Sequence, residues 1–392
     1  MSNPKRLFPK LRRRMRQFRL KHTYWTCTDS VENAGFGVIG SPQGRHPYKR
    51  LYLENQEGVK MRSHLYKGGI DIVRKLAQGR GLVVLSEIDL PLALEKETVQ
   101  VPAFVDLGIT LPHTLDAYYA GLPHSARDDI RRARKANYSY EISSDVNWVG
   151  IFFEQYYWPS MLGQHGEEAY VMPKTEIEAL VREKQAEFVK ICSEGVCLAA
   201  MLCQVEEKSF TFLRLGWLNH DEQYVKRGVL SALYWFLIQR AFHLQCSQVL
   251  LGGTPSYLEN GVLKFKAKWG GCLWENKPTY GFRRLLLDPA NPACYRFLKN
   301  VSLLAVGPGD SLLVLSSKLP NEVALPSRFL TAIKSWYVLR PSLSIQFQDE
   351  EALPSRLHHW YEKVPLTKTV CRNLKLPSLA EEVLPIKTTY LR

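Results

Sequence analysis

The chain has 392 residues, of which 45% are hydrophobic and 23% are charged. This balance is typical of a folded globular protein and excludes wholesale disorder, and the length predicts about two or three domains. A membrane span is not expected, because it needs roughly 18 consecutive apolar residues and the best apolar run, at 301–317, is interrupted by glycine and proline at 307–309. The eight cysteines form no CxxC or CxxH pair, which favours reduced thiols in a cytoplasmic protein over a structural zinc site.

Positive charge is concentrated at the start of the chain. The net charge is +14, and residues 1–28 hold nine lysines and arginines but no acidic residue. Within this basic arm, apolar residues recur at about helical spacing, at Leu7, Leu11, Met15 and Phe18. A basic amphipathic helix favours binding to polyanions. Residues 1–22 are therefore expected to contact tRNA or the anionic inner face of a membrane. The alternative is a solubilising tail.

A first folded unit is expected over residues 29–112. Strand-like runs occur at 50–53, 59–66, 81–88 and 101–109, with a short helix at 69–78. The segment 35–40 matches the GxGxxG dinucleotide pattern, but Pro42 and Gly44 follow at once, so no helix can begin there. It is predicted to be a turn-rich loop.

A second unit is expected over residues 113–288. Thr114 is a plausible helix cap and Pro123 interrupts the helical stretch that follows. Beyond it the sequence predicts, in order, a strand at 138–143, an aromatic-rich helix at 148–162, a charged helix at 176–187, a β-meander at 188–192, 196–205 and 209–215, an apolar helix at 230–243 and a strand at 248–251. This is an α/β order in which a ligand sits where the sheet splays near the start of the apolar helix.

The amino-acid composition changes from residue 289 onward, where proline recurs frequently up to residue 385. The remaining regular structure is predicted to be short helices, such as one at 328–336. Residues 289–392 are therefore interpreted as an extension that wraps around the body of the protein.

Three clusters of basic residues are candidate phosphate contacts. On a helix, Arg127, Arg131 and Arg134 lie on one side, opposite Ala126, Ile130 and Ala133. This arrangement could present guanidinium groups to phosphates, but taken alone it favours the simpler interpretation of a solvated charged face.

The second cluster is Lys226-Arg227-Gly228, which precedes the apolar helix. Helix starts bind phosphate through unpaired N–H groups, so Arg227, Gly228 and Ser231 are candidate donor-binding residues. An ordinary turn before the helix is the alternative.

The third cluster is Lys264, Lys266 and Lys268, flanked by Phe265 and Trp269. The strict alternation of lysines with apolar residues predicts a strand with the three lysines on one face. The spacing of Val262, Phe265 and Trp269 predicts a helix with exposed lysines instead. Either arrangement favours a phosphate or carbonyl ligand. There is no GxSxG or HExxH motif and no convincing pair of carboxylates, which disfavours serine and zinc hydrolases, and no metal ligands are predicted.

Four sequence elements follow one another between about residues 110 and 285. They are 115–119 leading to the arginine-rich helix, Tyr156-Tyr157-Trp158 with Met161 and His165-Gly166, the apolar helix, and Gly261 followed by Phe265-Lys266 and Trp269-Gly270. Together they resemble the FemAB-like branch of the GNAT acyltransferase superfamily.

This resemblance implies an α/β (α+β) fold with GNAT-like mixed sheets flanked by helices, in two tandem units of which the first is reduced. It also implies transfer of an activated acyl group onto an amine, with aminoacyl-tRNA or acyl-CoA as co-substrate and no bound cofactor. By the same resemblance Lys266 would lie near the reacting carbonyl and stabilise its oxyanion. Tyr257 and Tyr280 are candidate acids for the leaving group, and Lys264 and Lys268 candidate donor contacts.

The chain departs from the GNAT pyrophosphate turn, because Gly228 is present but Val225 and Leu230 occupy the other pattern positions. These departures count against coenzyme A. Three functions stay open at this point. They are an acyl- or aminoacyltransferase with an RNA-borne donor, an acyl-CoA-dependent N-acyltransferase with a small-molecule or saccharide acceptor, and a non-catalytic scaffold that binds RNA or membrane.

Overall fold

The computed structural model describes residues 24–28, 35–39, 52, 62–64, 81–86, 96–165, 171–274, 281–339, 353–354, 357–358, 360–364 and 366. The strands are β1 Tyr24–Thr28, β2 Gly35–Ile39, β3 Arg62–His64, β4 Leu82–Ser86, β5 Val99–Pro102, β6 Val105–Thr110, β7 Ser139–Ser143, β8 Ala186–Ser193, β9 Val196–Glu206, β10 Ser209–Trp217, β11 Gln248–Thr254, β12 Cys272–Leu273, β13 Phe282–Leu287, β14 Leu303–Val306, β15 Leu312–Ser316, β16 Ile333–Leu339 and β17 Tyr361–Val364.

The helices are α1 Leu115–Gly121, α2 His124–Lys135, α3 Trp148–Ile151, α4 Trp158–His165, α5 Lys174–Arg182, α6 Glu222–Lys226, α7 Val229–His243, α8 Gly261–Lys268, α9 Pro292–Asn300 and α10 Ser327–Leu330. A π-helical segment, Phe152–Tyr157, joins α3 to α4. No helix in the described ranges is long and apolar enough to cross a bilayer.

One of the two sheets has seven strands, in the order β12-β6-β11-β10-β9-β8-β7. Strands β8, β9 and β10 are the predicted antiparallel meander. The β8–β9 hairpin turns through Glu194 and Gly195, both with positive φ, as a two-residue hairpin loop requires. In contrast, β10 and β11 are parallel, because α7 carries the chain back across the sheet.

Local signals predicted most helices of this unit, but the charged helix expected at 176–187 ends at Arg182, and the chain from Ala186 onward belongs to β8. The Thr114 hydroxyl accepts a hydrogen bond from Ala117 N at the start of α1, and Pro123 precedes α2. Helix α7 is apolar on almost every side and is correspondingly buried between the sheet and the neighbouring helices.

A ten-stranded sheet lies beside the first, in the order β17-β16-β15-β14-β5-β13-β4-β2-β1-β3. It combines strands from both ends of the chain, because β14 pairs with β5 and β13 lies between β4 and β5. The observed architecture is thus the predicted mixed α/β fold with two sheets flanked by helices.

Strand pairing does not follow the expected boundaries at residues 112 and 288. The predicted strand 101–109 is two strands, because the chain bends at 103–104: β5 lies in the ten-stranded sheet and β6 in the seven-stranded one. Likewise β13, expected in the second unit, completes the ten-stranded sheet. The expected helix at 69–78 lies outside the described residues.

Two other sequence predictions were wrong. Residues 35–39 are strand β2 rather than a loop, paired through their backbone with β1 and β4. The C-terminal segment contains paired strands rather than only short helices: α10 ends at Leu330, and β16 runs from Ile333 in parallel with β15. Proline misled this interpretation because it lies in the connections, at Pro308, Pro320 and Pro326, and leaves the apolar runs intact.

Candidate active site

Strands β10 and β11 diverge after a short paired segment, and the space between their separated ends is called the cleft. The two strands pair only from Ser209–Gln248 to Thr211–Leu250. Beyond these pairs β10 follows β9 to Trp217 and β11 follows β6 to Thr254, with bulges in both strands. Gly252 has φ +70 at the bulge of β11, a conformation that favours glycine. Ligands bind at such carboxyl ends of parallel strands.

Lys266 reaches this cleft from α8. The helix begins after Asn260, whose side chain accepts a hydrogen bond from Leu263 N. The Lys266 side chain is buried, and its Nζ donates to the carbonyls of Gly252 at 3.0 Å and Gly253 at 3.1 Å. The ammonium also lies 5.6 Å from the centre of the Phe212 ring. Lys266 therefore lies at the point where the two strands separate.

Burial lowers the pKa of Lys266 from 10.5 to about 7, and the charge of Asp106 only partly opposes this shift. The desolvated ammonium is disfavoured because two neutral carbonyls replace its hydration shell. Near neutral pH the side chain can therefore carry or release a proton. Such perturbed groups cluster at functional sites.

The helical interpretation of 264–268 is confirmed, but not its expectation that all three lysines are exposed. Only Lys264 is exposed. Lys266 points into the cleft, and Lys268 forms an ion pair with Asp129. The three lysines therefore have three different environments.

Helix α2 has the predicted two faces. Ala126, Ile130 and Ala133 are buried against the core. Arg127 is half-buried, and Arg131 is exposed and pairs with Asp128 at 2.7 Å.

The exposed Arg134 guanidinium lies 5.6 Å from the Tyr119 ring and 5.8 Å from the Trp235 ring. These contacts hold a guanidinium in a fixed place at the surface.

Asp129 is a central residue that the sequence interpretation missed. Its buried carboxylate accepts hydrogen bonds from Ser231 Oγ at 2.8 Å and from the side chains of Lys268 and Arg132. Burial alone would raise the pKa of Asp129, but these hydrogen bonds and the charge of Lys268 hold it below its usual value. Asp129 thereby joins α2, the first turn of α7 and α8. The available signal was an acidic residue on the apolar face of α2, which predicts a buried partner.

Two of the predicted donor contacts, Ser231 and Lys268, are consequently bonded to a carboxylate of their own chain. Arg227 is exposed, and its carbonyl accepts a hydrogen bond from Tyr138 at 3.2 Å. Gly228 caps α7 with φ +84. The start of α7 is thus linked through Asp129 to the helix that carries Lys266.

Only one of the two predicted tyrosines lies among the described residues. Tyr257 is half-buried in the connection between β11 and α8, and its hydroxyl accepts a hydrogen bond from Asn260 at 3.1 Å. Tyr280 lies outside the described residues. Within the described part of the chain, no three His, Cys, Asp or Glu side chains are grouped so that they could hold a metal ion.

Several solved structures are similar to this chain. FemX shares 12% identity at a TM-score of 0.34, with 67% of this chain and 83% of FemX covered. L-PGS from Bacillus licheniformis shares 12% identity at 0.32, covering 67% and 80%. A GCN5-related N-acetyltransferase from Kribbella flavida shares 14% identity at 0.24, covering 67% and 84%. No family model and no curated protein matches the chain.

The order of elements expected from the sequence resemblance is present in the structure. The meander, the crossover helix α7 and the splayed parallel pair β10–β11 follow one another in the predicted order. The similarities to solved structures do not identify a donor, an acceptor or a catalytic residue.

Proposed function

We propose that this protein is a transferase that moves an activated acyl group from an RNA-borne donor, an aminoacyl-tRNA, onto an amine. The reacting carbonyl would lie in the cleft between β10 and β11. The observation that carries this proposal is the placement of Lys266, a buried side chain held by two backbone carbonyls where β10 and β11 separate.

In the proposed reaction the amine attacks the acyl carbonyl, a C–N bond forms and negative charge develops on the carbonyl oxygen. An ammonium group has three N–H donors. Two of those in Lys266 donate to the carbonyls of Gly252 and Gly253. The third would donate to the oxyanion, in a site where desolvation strengthens the interaction. Collapse of the intermediate breaks the ester C–O bond, and the proton lost by the amine passes to the departing oxygen. Tyr257 and Tyr280 are the proposed acids for that step.

The distribution of cations favours a long polyanionic carrier over a compact pyrophosphate. Ser231 and Lys268 are bonded to Asp129, so the start of α7 already has an anion beside it. Phosphates would instead contact the exposed guanidinium groups of Arg131 and Arg227, which suit phosphate oxygens. The half-buried Arg127, the exposed Lys264 and the basic residues 1–22 are proposed as further contacts with the same carrier.

The test supplies two donors, radiolabelled aminoacyl-tRNA and radiolabelled acetyl-CoA, each with a lysine-containing peptide and glucosamine as acceptors. We expect transfer from aminoacyl-tRNA that weakens steeply with salt, since bound phosphates release counterions. Lys266→Met should lower kcat by about 10²–10³-fold, the effect of removing one oxyanion donor. Lys299→Met, an exposed lysine of α9, is the matched control and should be unaffected.

The pH dependence tests the role of Lys266. If the ammonium form acts, the ratio of wild-type to Lys266→Met activity falls as the pH rises above about 7. A ratio that rises through the same pH would indicate a general base and contradict the oxyanion role. Transfer from acetyl-CoA alone would refute the RNA-borne donor. No transfer from either donor, with equal RNA binding by wild type and variant, would favour a scaffold.

A further inference from the structure

One short connection, residues 255–260, joins the strand that carries the hydrogen-bond acceptors of Lys266 to the helix that carries Lys266 itself. It begins directly after β11, whose Gly252 and Gly253 carbonyls accept the hydrogen bonds of the lysine. It ends at Asn260, the cap of α8. A displacement of this connection would therefore move the lysine relative to its acceptors.

The connection lies along β14 almost as an additional strand. Leu304 N donates to Ser256 O at 2.9 Å, and Leu258 N donates to Ser302 O at 2.9 Å. Between them, Tyr257 and Leu303 form an antiparallel bridge. The C-terminal segment thus contacts the active-site connection through its backbone.

Glu259 closes this contact immediately before the helix cap. Its Oε2 accepts a hydrogen bond from Ser302 N at 2.7 Å. Its Oε1 accepts from Ser302 Oγ at 2.8 Å and from Lys318 Nζ at 3.2 Å. The Ser302 hydroxyl lies 2.7 Å from that of Ser316, and both serines are buried. The Glu259 carboxylate therefore joins the connection directly to Ser302, which precedes β14, and to Lys318, which follows β15. Through the Ser302 hydroxyl it is also linked to Ser316 of β15.

We propose that Glu259 is a positioning residue for Lys266, and that the C-terminal strands β14 and β15 belong to the active site through it. This inference rests on the proposed function. Helix α8 has only eight residues, too few to hold a position without tertiary contacts. Its far end is held separately, because Tyr118 OH donates to Trp269 O at 2.5 Å.

Loss of the Glu259 contacts would leave the near end of α8 held by the backbone pairing of residues 256–258 with residues 302–304, without the side-chain anchor next to the helix cap. The hydrogen bonds of Lys266 Nζ, at 3.0 and 3.1 Å, would be weakened by a displacement of about 1 Å. A displacement of that size in a catalytic group costs on the order of a hundredfold in rate. Lys266 would also regain water, and its pKa would move back toward its usual value.

The experiment measures the lysine directly and does not depend on an activity. The full chain is prepared with ¹³C-labelled lysine, and the Lys266 signal is assigned by its absence in Lys266→Met. In wild type the signal should titrate at about 7. In Glu259→Ala, the midpoint should rise by about one unit or more. In the transfer assay kcat should fall about tenfold or more, with KM nearly unchanged.

Two variants separate positioning from stability. Glu187→Ala removes a similar carboxylate, which accepts two hydrogen bonds from Arg240 at 2.7 and 2.8 Å. It should lower the stability of the fold but leave the Lys266 midpoint unchanged. Glu259→Gln keeps an acceptor for Ser302 and should restore part of the loss. If Glu259→Ala does not fold, Ser316→Ala, which removes the hydrogen bonds of its hydroxyl with Ser302 Oγ and Lys318 N but keeps the carboxylate, should give a smaller shift in the same direction.

The outcomes distinguish this inference from the proposed function. A folded Glu259→Ala protein with an unchanged Lys266 midpoint overturns the positioning role. An equal shift in Glu187→Ala also overturns it, since the effect would then follow from general destabilisation. A wild-type Lys266 that titrates near 10.5 would indicate a solvated lysine, and would contradict the buried placement on which the proposed function rests.

Discussion

Replacement of Lys266 by methionine is expected to stabilise the fold at neutral and acidic pH while it removes the proposed activity. Methionine has a similar length and no charge. The pKa of Lys266 is lowered from 10.5 to about 7, and one pKa unit corresponds to about 1.4 kcal/mol. Burial of the ammonium therefore costs the folded wild-type protein ~5 kcal/mol below pH 7.

Methionine also removes the donor from the Gly252 and Gly253 carbonyls, which costs about 1–3 kcal/mol. Below pH 7 the variant should thus be more stable than wild type by roughly 2–4 kcal/mol. Between pH 7 and 10.5 the unfolded wild-type chain binds one more proton than the folded chain, so its free energy of unfolding rises with pH. The advantage of the variant should disappear over that interval.

The assay is urea unfolding of both proteins at pH 6, 8 and 10, with the comparison made as a difference at each pH. This difference cancels the titration of groups that the two proteins share. A difference that does not change with pH would refute the reasoning, because the lysine would then titrate equally in the folded and unfolded chains. A methionine variant that is less stable at every pH by the same amount would refute it as well.

Two further pairs of variants test the packing around the site. Asp129→Ala should lower the free energy of unfolding by about 1–3 kcal/mol, because it leaves the buried Ser231 hydroxyl and the part-buried Lys268 ammonium without their acceptor, whereas the more exposed neighbour Asp128→Ala should cost about 1 kcal/mol or less. Urea unfolding at pH 7 measures both, and equal losses would contradict the central role of Asp129. Gly216→Ala should cost about 1–3 kcal/mol, since its Cβ would lie 2.3 Å from the backbone of Tyr156. Gly121→Ala, with nothing within 4 Å, should change the thermal unfolding midpoint little, and a similar loss in both glycine variants would argue against the close approach.

Local sequence signals were sufficient for several elements of the second unit. The β-meander, the apolar helix α7 and the two faces of α2 follow from residue periodicity, and Thr114 and Pro123 mark the starts of α1 and α2. These signals operate over one or two turns of helix or a single strand, so the sequence contains them without reference to the rest of the fold. The resemblance to FemAB-like proteins follows from the same elements.

The site itself depended on contacts between residues distant in the chain. Asp129 meets Ser231 and Lys268 across 102 and 139 residues, and no local pattern encodes such a meeting. Glu259 reaches Ser302 only because β14 joins the second sheet.

Basic residues at 264 to 268 were evident from the sequence, but which of them enters the cleft was not. The tertiary structure decided this, because burial of Lys266 depends on the divergence of β10 and β11. A charge is perturbed by the solvent that surrounding elements exclude, and that exclusion exists only in the assembled fold.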